Sequence, residues 1–226
     1  MISALPFIDI HTHHQKHDSE VISIFNVLIG KNESLPIGDN QYFSVGLHPW
    51  FIDEKKFKSQ LEKVEKLAYN HHCVAIGETG LDRLTKAQMS LQQKVFEHHL
   101  IIAQKVSKPV IIHNVKAQNE ILEVYKKTKI DIPLIFHGFN NNQHIANLIL
   151  KRGCYFSFGH AVLKNGSNAS RLCQTIPASR FFLETDESET SINTIYEIVA
   201  NLRNITIEQL KEIIVENFKN IFTSWK

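Results

Sequence analysis

His11-Thr12-His13 follows the short apolar run Leu5-Pro6-Phe7-Ile8-Asp9-Ile10. On a strand, side chains two apart share a face. Asp9, His11 and His13 are therefore expected to project together, with Ile8, Ile10 and Thr12 facing away. Two imidazoles side by side at a strand end are good ligands for a divalent metal. Alone, the pair is also what a chain with 13 histidines carries on its surface or in its core. Its company sets it apart. Val74-Ala75-Ile76-Gly77 leads into Glu78, Pro109-Val110-Ile111-Ile112 into His113, Pro133-Leu134-Ile135-Phe136 into His137, and Phe181-Phe182-Leu183-Glu184-Thr185 into Asp186. Each is a metal-ligand type at the carboxyl end of an apolar segment. A buried strand gains nothing in packing by ending in His or Glu, so the series points to chemistry.

The elements that must position these residues alternate along the chain. Strand-like runs cover Phe7–Ile10, Val21–Leu28, Tyr42–Gly46, Val74–Gly77, Val110–Ile112, Leu134–Phe136, Tyr155–Phe158 and Phe181–Leu183. Helix-like stretches fall at Glu54–Tyr69, Lys86–Val106, Ala117–Lys127, His144–Arg152, Ser167–Thr175, Ile192–Arg203 and Ile207–Phe218. In the longest of them Leu91, Val95, His98, Ile102 and Val106 recur at helical spacing, the stripe an outer helix lays on a barrel. Thr206-Ile207-Glu208-Gln209 reads as a helix start. This predicts an α/β fold, a TIM-like (β/α) barrel whose strand ends converge on one face, as a single domain over residues 1–226. Only Thr12–Glu20 and Ile29–Gln41 separate the first three strands, too little for ordinary crossover helices. The barrel is expected to be trimmed in its first units.

Composition narrows the function classes. The chain has 226 residues, 43% hydrophobic and 21% charged, ordinary for a globular protein with a substantial core. No apolar stretch is long enough to span a bilayer, and the first residues do not read as a secretory signal. Cys73, Cys154 and Cys173 have no paired spacing, so reduced thiols and a cytoplasmic location are expected. A net charge of +2 is too small to argue for nucleic acid by itself. Nothing implies a membrane or a protein partner.

Six segments carry a family resemblance: Phe7-Ile8-Asp9-Ile10-His11-Thr12-His13, Gly46-Leu47-His48-Pro49, Ile76-Gly77-Glu78-Thr79-Gly80-Leu81-Asp82, Lys108-Pro109-Val110-Ile111-Ile112-His113, His137-Gly138-Phe139 and Leu183-Glu184-Thr185-Asp186. Together they resemble the TatD family of metal-dependent hydrolases in the amidohydrolase superfamily, many of them deoxyribonucleases. The resemblance implies a barrel holding two divalent cations. His11 and His13 would hold one, His113 and His137 the other, Glu78 would bridge both, and Asp186 would contact the metal-bound water. The chain departs from the family's pattern around these ligands. Arg83-Leu84 follows Asp82 where an aromatic is common, Lys116 stands where an Arg is usual, and Glu187-Ser188-Glu189-Thr190 lacks the usual prolines. Every ligand is kept, and the differences fall in loops that would hold substrate.

Two divalent cations set against Glu78, Asp186 and one hydroxide leave a single positive charge, which a phosphodiester would neutralise. The expected activity is a two-metal phosphodiesterase acting on DNA, single-stranded or at ends. A same-fold hydrolase of a small amide, lactone or ester is the alternative, and a non-catalytic binding protein would leave the ligand set without a use. Carboxylates admit Mg²⁺ or Mn²⁺, and imidazoles lean towards Zn²⁺ or Mn²⁺. Asp186 is the expected proton acceptor, with Glu184 its rival two residues earlier. Asp82 would either orient a ligand histidine or cap the next element, and Glu184 would orient another. His48 either lines the site or stabilises a turn, and Trp50 either stacks a base or packs a loop. Lys116 either pairs with phosphate or is a solvated helix residue. His160 follows a strand end and joins the substrate candidates. Of the other histidines, His71, His72, His98, His99 and His144 are expected to be ordinary surface or core residues.

Overall fold

The computed structural model describes residues 5–15, 18–36 and 41–223. Eight strands follow in chain order: β1 (Phe7–Thr12), β2 (Val21–Leu28), β3 (Tyr42–Gly46), β4 (Cys73–Asp82), β5 (Val110–Val115), β6 (Leu134–Phe136), β7 (Tyr155–Phe158) and β8 (Phe181–Leu183). Each pairs in parallel with the next, giving one sheet in the order β1 to β8. At the open seam Thr12 and Asp186 bridge in parallel. The Asp186 N–H donates to the His11 carbonyl at 2.9 Å, and the His13 N–H donates to the Asp186 carbonyl at 3.1 Å. The nearly closed barrel is thus joined at the level of three candidate site residues.

The helices are α1 (Phe57–Ala68), α2 (Met89–Val106), α3 (Gln118–Thr128), α4 (Gln143–Leu150), α5 (Asn168–Thr175), α6 (Ile192–Arg203) and α7 (Ile207–Ile221). α7 starts where its sequence suggests, and its cap is a full capping box: Thr206 Oγ1 accepts from Gln209 N–H, and Gln209 Oε1 accepts from Thr206 N–H. Among the described residues of the β1–β2 and β2–β3 connections there is no helix, so the barrel is trimmed where the short spacing predicts.

On α2 the expected stripe holds except at one position: Val95 and Ile102 are buried and Leu91 and Val106 pack against the core, but His98 is exposed and His99 is buried in its place, beside Phe96, Leu100 and Ala103. His99 is buried because it is fully partnered: its Nε2 accepts from the Leu47 N–H at 2.9 Å, leaving Nδ1 to donate to the Val95 carbonyl at 2.8 Å. Burial pushes its pKa from 6.5 down to about 4. Between those values the unfolded chain binds a proton that the folded one does not, so stability falls as pH drops from 6.5 towards 4. His99→Gln removes the titration. Urea unfolding at pH 7 and pH 4.5 is expected to show wild type losing on the order of 3 kcal/mol more than the variant. Equal losses would show that His99 is protonated in the fold.

β4 is the main extension beyond the sequence reading, running five residues past Gly77. Two glycines make this possible. Gly77 has φ 144°, and a Cβ there would lie 2.5 Å from the Ile111 carbonyl oxygen; Gly80 has φ 151°, and its Cβ would run into the His113 carbonyl. Only Gly accepts both the backbone angle and the close approach of β5. The β4–β5 register is irregular between Ile76 and Thr79, the stretch that carries Glu78.

Candidate active site

All six sequence-predicted ligands meet at the carboxyl ends of the strands, with Glu78 at the centre. Its Oε1 lies 2.8 Å from His113 Nδ1 and 2.8 Å from His137 Nε2. Its Oε2 lies 3.5 Å from His11 Nε2 and 3.7 Å from His13 Nε2. One carboxylate thus divides the four imidazoles, an oxygen to each pair. Asp186 Oδ1 faces the first pair, 3.6 Å from His11 and 3.4 Å from His13. Asp186 sits at φ 55°, a strained angle for a non-glycine residue, held there by the two seam hydrogen bonds.

The ionisation of these groups follows from their crowding. Burial opposes charge on Glu78, but the charge of His137 and the close approach of His11, His113 and His13 outweigh it and hold the carboxyl well below its usual range. Burial also opposes charge on Asp186, and His11 and His13 again prevail and lower it. Burial and the neighbouring His137 disfavour a proton on His11, yet Asp186 and Glu78 raise it to about 9. His137 rises for the same reason against Glu78 and Glu184.

Three groups each bring ligand atoms within 4.8 Å of one another: His11, His13 and Glu78; His11, His137 and Asp186; His48, Glu78 and His113. The donor set suits a divalent cation. His11 is fully buried, and neither of its ring nitrogens has a hydrogen-bond partner. A buried imidazole with neither nitrogen hydrogen-bonded is costly unless a ligand takes one of them.

Two carboxylates stand behind the imidazoles. Asp82 Oδ2 lies 3.1 Å from His113 Nε2. Glu184, fully buried, approaches His137 Nδ1 at 3.4 Å, too poorly aligned for a hydrogen bond, while its Oε1 accepts from the Gly138 N–H at 2.6 Å. Each imidazole keeps one nitrogen towards Glu78 and turns the other to a carboxylate. This is how metal-binding histidines are commonly held.

Other expectations are sorted by the geometry. His48 is buried in the cluster, 3.3 Å from Glu78 Oε1. Its Nδ1 accepts from the Trp50 N–H at 3.1 Å, so its proton sits on Nε2 and points at Glu78. Burial lowers its pKa, consistent with a neutral donor that steadies Glu78. Trp50 donates from Nε1 to Asp82 Oδ2 at 2.7 Å and is largely exposed at the mouth. Lys116 is exposed at the end of β5; its carbonyl accepts from Arg83 Nε and its side chain does not join the cluster. His160 is exposed and binds Thr190 and Ser188 across the rim, also outside the cluster.

Asp9 does not project with the two histidines. The β1–β2 register is irregular between Asp9 and Thr12, which breaks the alternation. Asp9 instead accepts from Thr185 N–H at 3.1 Å, Thr185 Oγ1 at 2.7 Å and His11 N–H at 3.3 Å, tying β1 to the segment after β8. Sequence reasoning missed Asn26 on β2. Its Nδ2 donates to Glu78 Oε2 at 3.1 Å, and its Oδ1 accepts from the Glu78 N–H at 2.9 Å. A lone amide inside Ile24-Phe25-Asn26-Val27-Leu28 is the signal that could have revealed it. Lys31 and Glu187, paired at 3.3 Å over the mouth, left no such sign.

The family model of the TatD related DNases matches residues 30–223. The chain belongs to the TatD family. His11 and His13 lie before the matched span, yet they converge on the same Glu78. Among curated TatD-like relatives, YcfH of Escherichia coli K12 is 28% identical over 200 residues, covering 81% of this chain and 74% of that protein. YabD of Bacillus subtilis strain 168 is 29% identical over 198 residues, covering 80% and 77%. Both are described as uncharacterized metal-dependent hydrolases. The crystal structure of YjjV, a TatD homologue from Escherichia coli K12, superposes with a TM-score of 0.80 at 19% identity, covering 96% of this chain and 98% of the other, a likeness of fold. This TatD protein is a metal-dependent hydrolase with an eight-stranded barrel. No described helix is long and apolar enough to cross a membrane.

Proposed function

We propose that this protein is a phosphodiesterase acting on DNA, with two divalent cations held by His11, His13, Glu78, His113, His137 and Asp186. The observation that carries the reading is the division of Glu78, one oxygen towards His11 and His13 and the other towards His113 and His137. A carboxylate shared in this way is suited to bridge two cations. When bound, such cations would lower the pKa of water to about 7 and stabilise both attacking and leaving oxygens. The chain's own groups do the rest. Asp186, ionised at neutral pH and at the mouth, accepts the proton from the attacking water. Asp82 and Glu184 orient His113 and His137. The family description supports a nucleic acid as substrate.

The test is a substrate panel. Single-stranded DNA and simple phosphodiesters are expected to turn over with added Mg²⁺, Mn²⁺ or Zn²⁺ and not after dialysis against EDTA, while lactones and cyclic amides stay intact. Turnover of the lactones or amides alone would replace the reading. Full hydrolysis by metal-free protein would remove the cations from it.

Cation uptake is expected to release protons. Glu78 and its neighbours keep protons on His11 and His137 in the cation-free protein, and a cation takes only the neutral imidazole. Affinity should therefore rise as pH increases towards about 9. Titration calorimetry in buffers of different ionisation enthalpy counts the protons released. Affinity that does not change with pH would show the imidazoles to be neutral already.

A further inference from the structure

Next to the cluster runs an open groove of about 560 Å³, walled by Trp50, Ile52, Leu84 and Val115 with Lys86 at its rim. Trp50 also lines the smaller cavity over Glu78 and Asp186, so the two spaces share a wall. We propose that this groove is a subsite for an unpaired nucleobase, the one beside the scissile phosphodiester, stacked on Trp50. The proposal rests on the nuclease reading above and adds where the neighbouring nucleotide lies.

Trp50 is 61% exposed and Leu84 71%, two of the five large hydrophobics that the described surface leaves in water. Side chains this exposed ordinarily gain rotamer freedom, but one carboxylate fixes the Trp50 indole and the backbone of Leu84. Asp82 Oδ2 takes the Trp50 Nε1–H at 2.7 Å, and Asp82 Oδ1 takes the Leu84 backbone N–H at 2.7 Å. The indole is further braced edge-on against His48, ring centroids 5.1 Å apart. An aromatic face fixed in the open beside a catalytic mouth is a ready stacking platform, with its ordering cost met before a ligand arrives. The groove falls within the size range of small-molecule sites, about 300–1,000 Å³. Its walls are largely apolar and suit a flat neutral base; of its two acids, Asp82 is engaged by Trp50 and Leu84 and Glu54 stands in solvent, and Lys86 can meet the strand's phosphate. A paired base keeps its face inside the duplex, so the occupant is unpaired.

The test compares a short single-stranded oligonucleotide with the same strand made abasic on both sides of the cleavage point, using the cation-loaded full chain. Stacking on an aromatic is worth about 1–3 kcal/mol per base, so wild type is expected to show a KM roughly tenfold or more lower for the strand with bases. Trp50→Ala should bring the ratio of the two KM values towards one, and Leu84→Ala should reduce it. Trp50→Phe, which keeps a face but loses the bond to Asp82, should retain most of it. In a Trp225→Phe background, which leaves Trp50 as the one tryptophan, the strand with bases should quench fluorescence and the abasic strand should not. Equal KM values in wild type, or a ratio unchanged in Trp50→Ala, would overturn the subsite while leaving the nuclease reading intact. Cleavage of neither strand overturns both. Self-association of wild type that Leu84→Ala abolishes would make the groove a contact between copies, again against the subsite.

Discussion

Glu78→Gln is expected to lower turnover of a phosphodiester by more than about 100-fold while the protein stays folded. Changes to groups that merely orient metal ligands cost roughly 10- to 100-fold, and Glu78 stands nearer the chemistry than those. Its Oε1 serves His113 and His137, and its Oε2 faces His11 and His13. An amide replaces one of those oxygens with a donor and removes the negative charge from a buried ring of imidazoles. The half of the site that faces the NH₂ then loses its oxygen ligand, and both halves lose the shared charge. The fold should survive, because Glu78 lies at the barrel mouth and the strands beneath it are packed independently by residues such as Val45, Ile76 and Ile112. Steady-state kinetics, metal analysis and thermal unfolding check the three parts separately. Near-normal turnover with a full complement of cations would take Glu78 out of the site.

The barrel was legible because its signals are local. Each of the eight apolar runs becomes a strand, and Ile192–Arg203 is bounded as the sequence suggests. Where the reading fell short, the deciding contact was distant in the chain. β4 continues through Gly77 and Gly80 because β5 backbone approaches there, a fact held by Ile111 and His113 rather than by the glycines' neighbours. The stripe on α2 was taken from spacing alone. It fails only at His98, because His99 is the histidine that finds a donor, in Leu47, more than fifty positions away. Asp9 escapes the strand's alternation for a similar reason, since Thr185 supplies the hydrogen bonds that draw it towards β8.

The candidate ligands were legible for a different reason. A His, Glu or Asp that ends an apolar run is anomalous in its own segment, and such anomalies gather wherever parallel strand ends converge. His48 was visible as a residue after a strand and before a proline, which left it either lining the site or stabilising a turn. Its place beside Glu78, and the proton position that makes it a donor, depend on the turn that brings the Trp50 N–H to its Nδ1. Lys116 and His160 follow strand ends too, yet both stand in solvent. A strand's end fixes the height of a residue in the barrel; the direction of its side chain is set by the loop that follows.

Asp186→Asn is expected to reduce kcat by roughly 10² to 10⁴, the usual contribution of a positioned proton acceptor, with little change in KM. Glu184→Gln should cost less, about 10- to 100-fold. The two acids differ in what they can reach. Asp186 has 39% of its side chain exposed at the mouth and faces His11 and His13, so it can meet a water poised between the imidazoles. Glu184 is fully buried, its Oε1 committed to the Gly138 N–H and to His137. Gln at that position still offers an oxygen to Gly138, which preserves much of the local structure. Asn at 186 keeps the size and the seam hydrogen bonds, which are made by backbone, but cannot accept a proton at neutral pH. Parallel kinetics on one phosphodiester separates the roles, with metal analysis to exclude simple loss of cations. If the Glu184 variant is inactive and the Asp186 variant is near wild type, the proton goes to Glu184, and Asp186 serves only to close the barrel seam.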